Sequence, residues 1–297
     1  LFEYQSAARV LEVSPSKGPS GGGGFVNVSG TGFSQRSFLL SYLFARFNET
    51  RVPVVWVSSG EVHCVAPEHA TGVVHVELTL NDQQYTTDGV HFEYQDVVAH
   101  SIEPLNGPVV GGTAVIVRGS NFHSPGAKGL WCQFVGVDVV AATYEGEEGV
   151  RCTTPAVARA GSVAVHLINN DAVYVTSVAF LFQPVVSVSS LQPVVGMLSG
   201  STVLTVRGSG FVSSMTTRVR FGSRQVVLAR VLSADMLEVT TPAYTQPELL
   251  PVEVTLNEQD FSSDEVLFEV QALAHVAEVA PGKGPSAGGA FVNVTGS

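Results

Sequence analysis

The chain is poor in the residues that most often carry chemistry. Its 297 residues include three cysteines, two tryptophans and three methionines, and Lys plus Arg number 15 against 26 Asp plus Glu. The resulting formal charge of −11 repels phosphate backbones and anionic lipid, which argues against nucleic acid as a partner. Long apolar runs are missing too. The stretch around Val73 to Leu80 is broken by His75 and Glu77 and is far shorter than the roughly 20 residues of a membrane helix, so no membrane insertion is expected in this segment. Eight histidines are scattered without an HExxH pattern or tight Cys/His spacing, so neither a metal site nor a cofactor is expected. Glu145, Glu147 and Glu148 form the densest acidic cluster, in a Gly-containing loop, and read as a solvated turn rather than a cation site.

What is present is a repeat. A Pro-x-x-Gly opening begins at Pro15, Pro104, Pro193 and Pro281, at spacings of 89, 89 and 88 residues. Gly30, Gly119, Gly208 and Gly296 hold one later register, and Phe33, Phe122 and Phe211 follow three residues on. These glycines are expected at turn positions that need positive φ. Alternations such as Phe25-Val26-Asn27-Val28-Ser29 indicate strands. A late run reaching Asn81-Asp82, Asn170-Asp171 or Asn257-Glu258 and resuming at Tyr85, Tyr174 or Phe261 reads as a hairpin. About seven short strands per unit of under 100 residues indicate an all-β chain of tandem immunoglobulin-like β-sandwich domains.

The expected divisions are 1–6, the end of a preceding repeat; 7–95, 96–183 and 184–270, three domains; and 271–297, the start of a further repeat. Residues 1–6 are assigned because Leu1-Phe2-Glu3-Tyr4-Gln5 matches Phe92-Glu93-Tyr94-Gln95. With almost no linker between units, an extended rod is expected. Domains about 30 Å long would make three approach about 100 Å.

The Pro-x-x-Gly-Pro-x-x-Gly-Gly opening, Gly119-Ser120-Asn121-Phe122, Trp131-Cys132-Gln133-Phe134 and Cys152-Thr153-Thr154-Pro155 resemble the IPT/TIG domain. That family occurs in plexins, the hepatocyte growth factor receptor family, fibrocystin-like surface proteins and some transcription factors. The resemblance implies a disulfide between Cys132 and Cys152, the alternative being two buried reduced thiols. Cys64 matches Cys152, but Ala45 stands where its partner would be. It is either a buried free thiol or a link to another chain. Asn27, Asn48 and Asn293 open N-glycosylation sequons, and Asn27 is expected to point outward because Val26 and Val28 face the core.

Two Gly-x-Ser-x-Gly matches, at Ser20 and Ser286, lie in domain-opening loops with no helix following, which excludes a nucleophile elbow. The glycine-rich Gly21 to Gly24 lacks the ending of a phosphate loop and is assigned to turn geometry. The segment containing Phe38, Leu39, Leu40, Tyr42, Leu43 and Phe44 is longer than its counterparts. It is either a core strand with a lengthened loop or an exposed patch for a subunit or partner. Trp131 is expected in or at the edge of the core. Together these features indicate a non-enzymatic, glycosylated structural or adhesive segment, extracellular or at the cell surface, forming a stiff stalk or a filament subunit by self-association or by binding another extracellular protein. The alternatives are a receptor ectodomain that binds a protein ligand and polysaccharide-binding accessory domains.

Overall fold

A computed structural model describes residues 7–124, 129–223 and 225–297. Two compact units result, one running to Gln183 and holding the first two sandwiches, the other from Pro184 onward.

Domain 1 comprises β1 (Arg9–Ser14), β2 (Lys17–Pro19), β3 (Phe25–Thr31), α1 (Gln35–Leu39), β4 (Phe44–Phe47), β5 (Thr50–Ser58), β6 (Glu61–Val65), β7 (Gly72–Thr79) and β8 (His91–Gln95). Its strands follow one path, β1-β3-β6-β5-β4-β7-β8-β2. The path folds into two layers because the long β5 changes partner: Thr50–Pro53 pairs with β4, whereas Val54–Ser58 pairs with β6. Every pairing is antiparallel except β2 with β8.

Domain 2 repeats this plan with β9 (Val98–Glu103), β10 (Asn106–Pro108), β11 (Ala114–Ser120), β12 (Leu130–Phe134), β13 (Asp138–Gly146), β14 (Gly149–Thr153), β15 (Gly161–Asn169), β16 (Ala172–Tyr174) and β17 (Ala179–Gln183). Here β13 is the strand shared between layers.

Domain 3, in the second unit, comprises β18 (Ser187–Gln192), β19 (Val195–Met197), β20 (Val203–Ser209), β21 (Arg218–Phe221), β22 (Gln225–Leu228), β23 (Arg230–Ser233), β24 (Met236–Thr240), β25 (Glu248–Thr255) and β26 (Leu267–Gln271). The shared strand is broken at Ala229 into β22 and β23, so the layers separate into sheets β18-β20-β24-β23 and β19-β26-β25-β21-β22. A final pair, β27 (Val276–Ala280) and β28 (Asn293–Gly296), repeats the β1–β3 pairing in the same register, bulge included. Counting the three-residue strands, each domain has eight or nine strands rather than seven.

Burial follows the alternation. Val26 and Val28 are buried on β3 while Phe25 and Asn27 lie on the other face. The inner faces meet around edge-to-face aromatic pairs: Phe47 with Phe92 at 5.4 Å, Phe134 with Phe180 at 6.4 Å and Phe221 with Phe268 at 5.9 Å, a favoured packing of ring quadrupoles. The Gly of each opening motif sits over such a ring. A Cβ on Gly18 or Gly196 would lie 2.5 Å from Phe92 Cζ or Phe268 Cζ, and one on Gly107 would lie 2.9 Å from Phe180 Cζ.

Three sequence expectations are corrected. Gly30, Gly119 and Gly208 are not positive-φ residues; a Cβ there would strike the carbonyl oxygen of Arg9, Val98 or Ser187 across a β-bulge. The late hairpin is a full strand pair only in domain 2, where Asn170 and Asp171, both at positive φ, join β15 to β16. In domains 1 and 3 it shrinks to single bridges, Thr79 with Tyr85 and Thr255 with Phe261. Trp131 lies on the outer face of β12 and is 38% exposed, since Leu130 and Cys132 occupy the inward positions.

Candidate functional site

Among the described residues the candidate positions are surfaces and covalent sites. In domain 2, Cys132 on β12 and Cys152 on β14 are disulfide-bonded across the layers, with Cα atoms 6.4 Å apart. Cys64 on β6 is a free thiol, 4% exposed in the core of domain 1. Burial among apolar side chains pushes its pKa up to about 12, because the thiolate would lose hydration without gaining a partner. A buried, protonated thiol is not placed to bond another chain.

The three sequons differ sharply. Asn27 lies on the outer face of β3, but its Nδ2 donates to Glu61 Oε1 at 2.8 Å and its Oδ1 is buried. Asn48 occupies the tight turn between β4 and β5 at φ 47°. Its Oδ1 accepts from the His75 N–H at 3.0 Å, and its own N–H donates to His75 O at 2.9 Å. The turn is thereby pinned to β7. Asn293, in the register of Asn27, is exposed and pairs with Ala280.

The long apolar segment of domain 1 is neither a core strand nor a continuous patch. Ser34 caps a short helix, its Oγ accepting from the Ser37 N–H at 3.2 Å, as N-cap serines do. Leu39, Leu40 and Tyr42 are exposed at 72%, 54% and 51%. Phe38 packs against the core, Leu43 is buried at 3%, and Phe44 lies beneath the Arg51 guanidinium, 3.7 Å from its ring centroid. Leu43 is therefore removed from any interface.

Ser20 is held in its loop by backbone bonds, its N–H to Gln95 O and its carbonyl from the His69 N–H, both 2.9 Å. Glu145 pairs with Arg151 at 2.9 Å. Among the described residues no group of three or more His, Cys, Asp or Glu is placed to hold a metal, and no helix is long and apolar enough to cross a membrane. Sequence reading missed one recurrent cluster. Arg46 lies 4.0 Å from the Tyr85 ring centroid and bonds Glu77. Arg220 lies 3.7 Å from that of Phe261, and its Nε donates to Glu253 Oε2 at 2.7 Å. These cation–π and ion-pair stacks combine three positions that meet only once strand register is known. Domain 2 has Gln133, His166 and Tyr174 there instead.

A family model described as the IPT/TIG domain matches residues 8–94, 98–183 and 186–270. Fibrocystin-L of Mus musculus is 26% identical over 302 residues, covering 98% of this chain and 7% of that protein. Plexin-B1 of Homo sapiens is 30% identical over 205 residues, covering 66% of this chain and 10% of that protein. Among solved structures, the full extracellular region of plexin A4 superposes with a TM-score of 0.59 at 15% identity, covering 94% of this chain and 26% of that one. The likeness is one of fold, that of immunoglobulin-like sandwiches. The chain spans a tenth or less of the length of these two relatives.

Proposed function

The chain belongs to the IPT/TIG domain family, and from that premise we propose that it is a non-catalytic segment of the ectodomain of a receptor-like surface protein, extracellular, with a protein ligand rather than a chemical substrate. The observation that carries this reading is alignment of the whole tandem, not of one domain, with a fibrocystin-type protein. The likeness to a plexin extracellular region supports a receptor over a filament. The disulfide of domain 2 suits an oxidising compartment.

Sedimentation velocity on the secreted 297-residue chain tests this against self-association. A single monomeric boundary across a concentration series is expected. Reversible polymers growing with concentration would overturn the receptor reading in favour of a filament subunit.

In the same setting we place N-glycans on Asn48 and Asn293 and not on Asn27. A glycan on Asn27 must leave the middle of a sheet from an amide bonded to Glu61 with its oxygen sealed, whereas Asn48 stands at a turn. Enzymatic deglycosylation in heavy-oxygen water followed by peptide mass spectrometry is expected to label Asn48 and Asn293 alone. Equal label on Asn27 would refute the assignment.

A further inference from the structure

Only Asp96 and Val97 separate β8 from β9, and both sides hold this link. The Ser20 N–H donates to Gln95 O at 2.9 Å from domain 1, and Asn121 Nδ2 donates to Asp96 O at 2.9 Å from domain 2. Against it, the β15–β16 hairpin of domain 2 rests on the glycine-rich loop of domain 1. A Cβ on Gly21 would overlap the Ala172 Cβ and lie 2.8 Å from Tyr174 Oη, and one on Gly23 would overlap the Asn170 Cβ. Gly21 is not at positive φ, so turn geometry does not explain it; close approach does.

Comparison of the repeats sharpens the point. Tyr85 and Phe261 lie under arginines tied to glutamates. Tyr174 has Gln133 and His166 at those positions, and its hydroxyl lies buried against Gly21, where burial pushes its pKa up to about 12. The positions matching Gly21 carry Val110, Ser199 and Ala287, side chains that would fill this space. Between the two domains lies a cleft of about 1000 Å³, lined by Lys17 and His91 from domain 1 and by His123 and Glu147 from domain 2.

We propose that Gly21 and Gly23 form a socket for the Asn170–Tyr174 hairpin, locking domains 1 and 2 into one rigid two-domain platform whose cleft exists only while the hairpin is seated. The partner surface is thus the hairpin of the following repeat, and the specificity determinant is the absence of a side chain at position 21. The lock holds whether the chain serves a receptor or a filament.

The test is double electron–electron resonance on the full 297-residue chain, with spin labels at Val55→Cys and Val139→Cys, both exposed positions; buried Cys64 does not compete for label. The parent is expected to show one narrow distance distribution. Gly21→Ala broadens or shifts it, and adding Ala172→Gly, which removes the overlapping carbon, restores it. Ala172→Leu, which leaves domain 1 untouched, broadens it as well. A distribution already broad in the parent, or equally narrow in Gly21→Ala and Ala172→Leu, would overturn the lock.

Discussion

Replacing Ala45 with cysteine is expected to close a second disulfide, onto Cys64, and to stabilise domain 1 by about 3 kcal/mol, the gain of a loop of roughly 20 residues. The ladders make the case. In domain 2, Cys132 pairs with Val140 and Leu167, and Cys152 pairs with Ala142 and Val115. In domain 1, Ala45 pairs with Val52 and Leu78, and Cys64 pairs with Val54 and Val26. In each domain the two positions pair with residues two apart on the shared strand, Val140 and Ala142 on β13, Val52 and Val54 on β5, so Ala45 and Cys64 face each other as the bonded pair does. The bond has to form while the chain folds in an oxidising compartment, because the native Cys64 thiol, with its pKa near 12, is almost wholly protonated and shielded. Denaturant unfolding read by Trp56 in a Trp131→Phe background measures the gain, and thiol counting in denaturant should fall from one free thiol to none. Two free thiols, or an unchanged midpoint that reduction does not lower, would show that the two positions do not face each other.

How much of this was legible beforehand depends on whether a feature lives in one strand or between strands. The repeat and the β class follow from spacing and alternation, which are local. Cys132 and Cys152 were paired by family resemblance, since twenty residues of separation alone cannot choose a partner. The segment from Phe38 to Phe44 misled because its composition is uniformly apolar, whereas its exposure is decided by a serine cap at Ser34 and by Arg51 reaching over Phe44 from the next strand. Gly21 was invisible as a contact residue, because a glycine chosen to admit a neighbour looks the same in sequence as one chosen for a turn. The Arg46 and Arg220 clusters each join three residues from separate segments and needed the register itself.

Substituting Gly119 with alanine is expected to destabilise domain 2 by about 3 kcal/mol, at the upper end for forcing volume into a packed core. The new Cβ would strike the carbonyl oxygen of Val98 and lie 2.6 Å from Phe122 Cζ. Neither neighbour yields easily: Val98 belongs to the bulged β9–β11 ladder, and Phe122 is 2% exposed with its N–H donating to Glu147 O at 3.0 Å. Gly136 is the contrast within the same domain. It has φ 76° and nothing within 4 Å of its Cβ position, so alanine there pays only left-handed backbone strain of about 1–2 kcal/mol, much of which asparagine should recover. At Gly119 asparagine should do no better than alanine, while Phe122→Leu, by opening space under the new methyl, should partly relieve Gly119→Ala despite being costly alone. Unfolding read by Trp131 in a Trp56→Phe background distinguishes the two kinds of glycine. A cost below about 0.5 kcal/mol for Gly119→Ala would mean the bulge relaxes freely and that the glycine recurring at 30, 119 and 208 is not held there by the approach of the first strand.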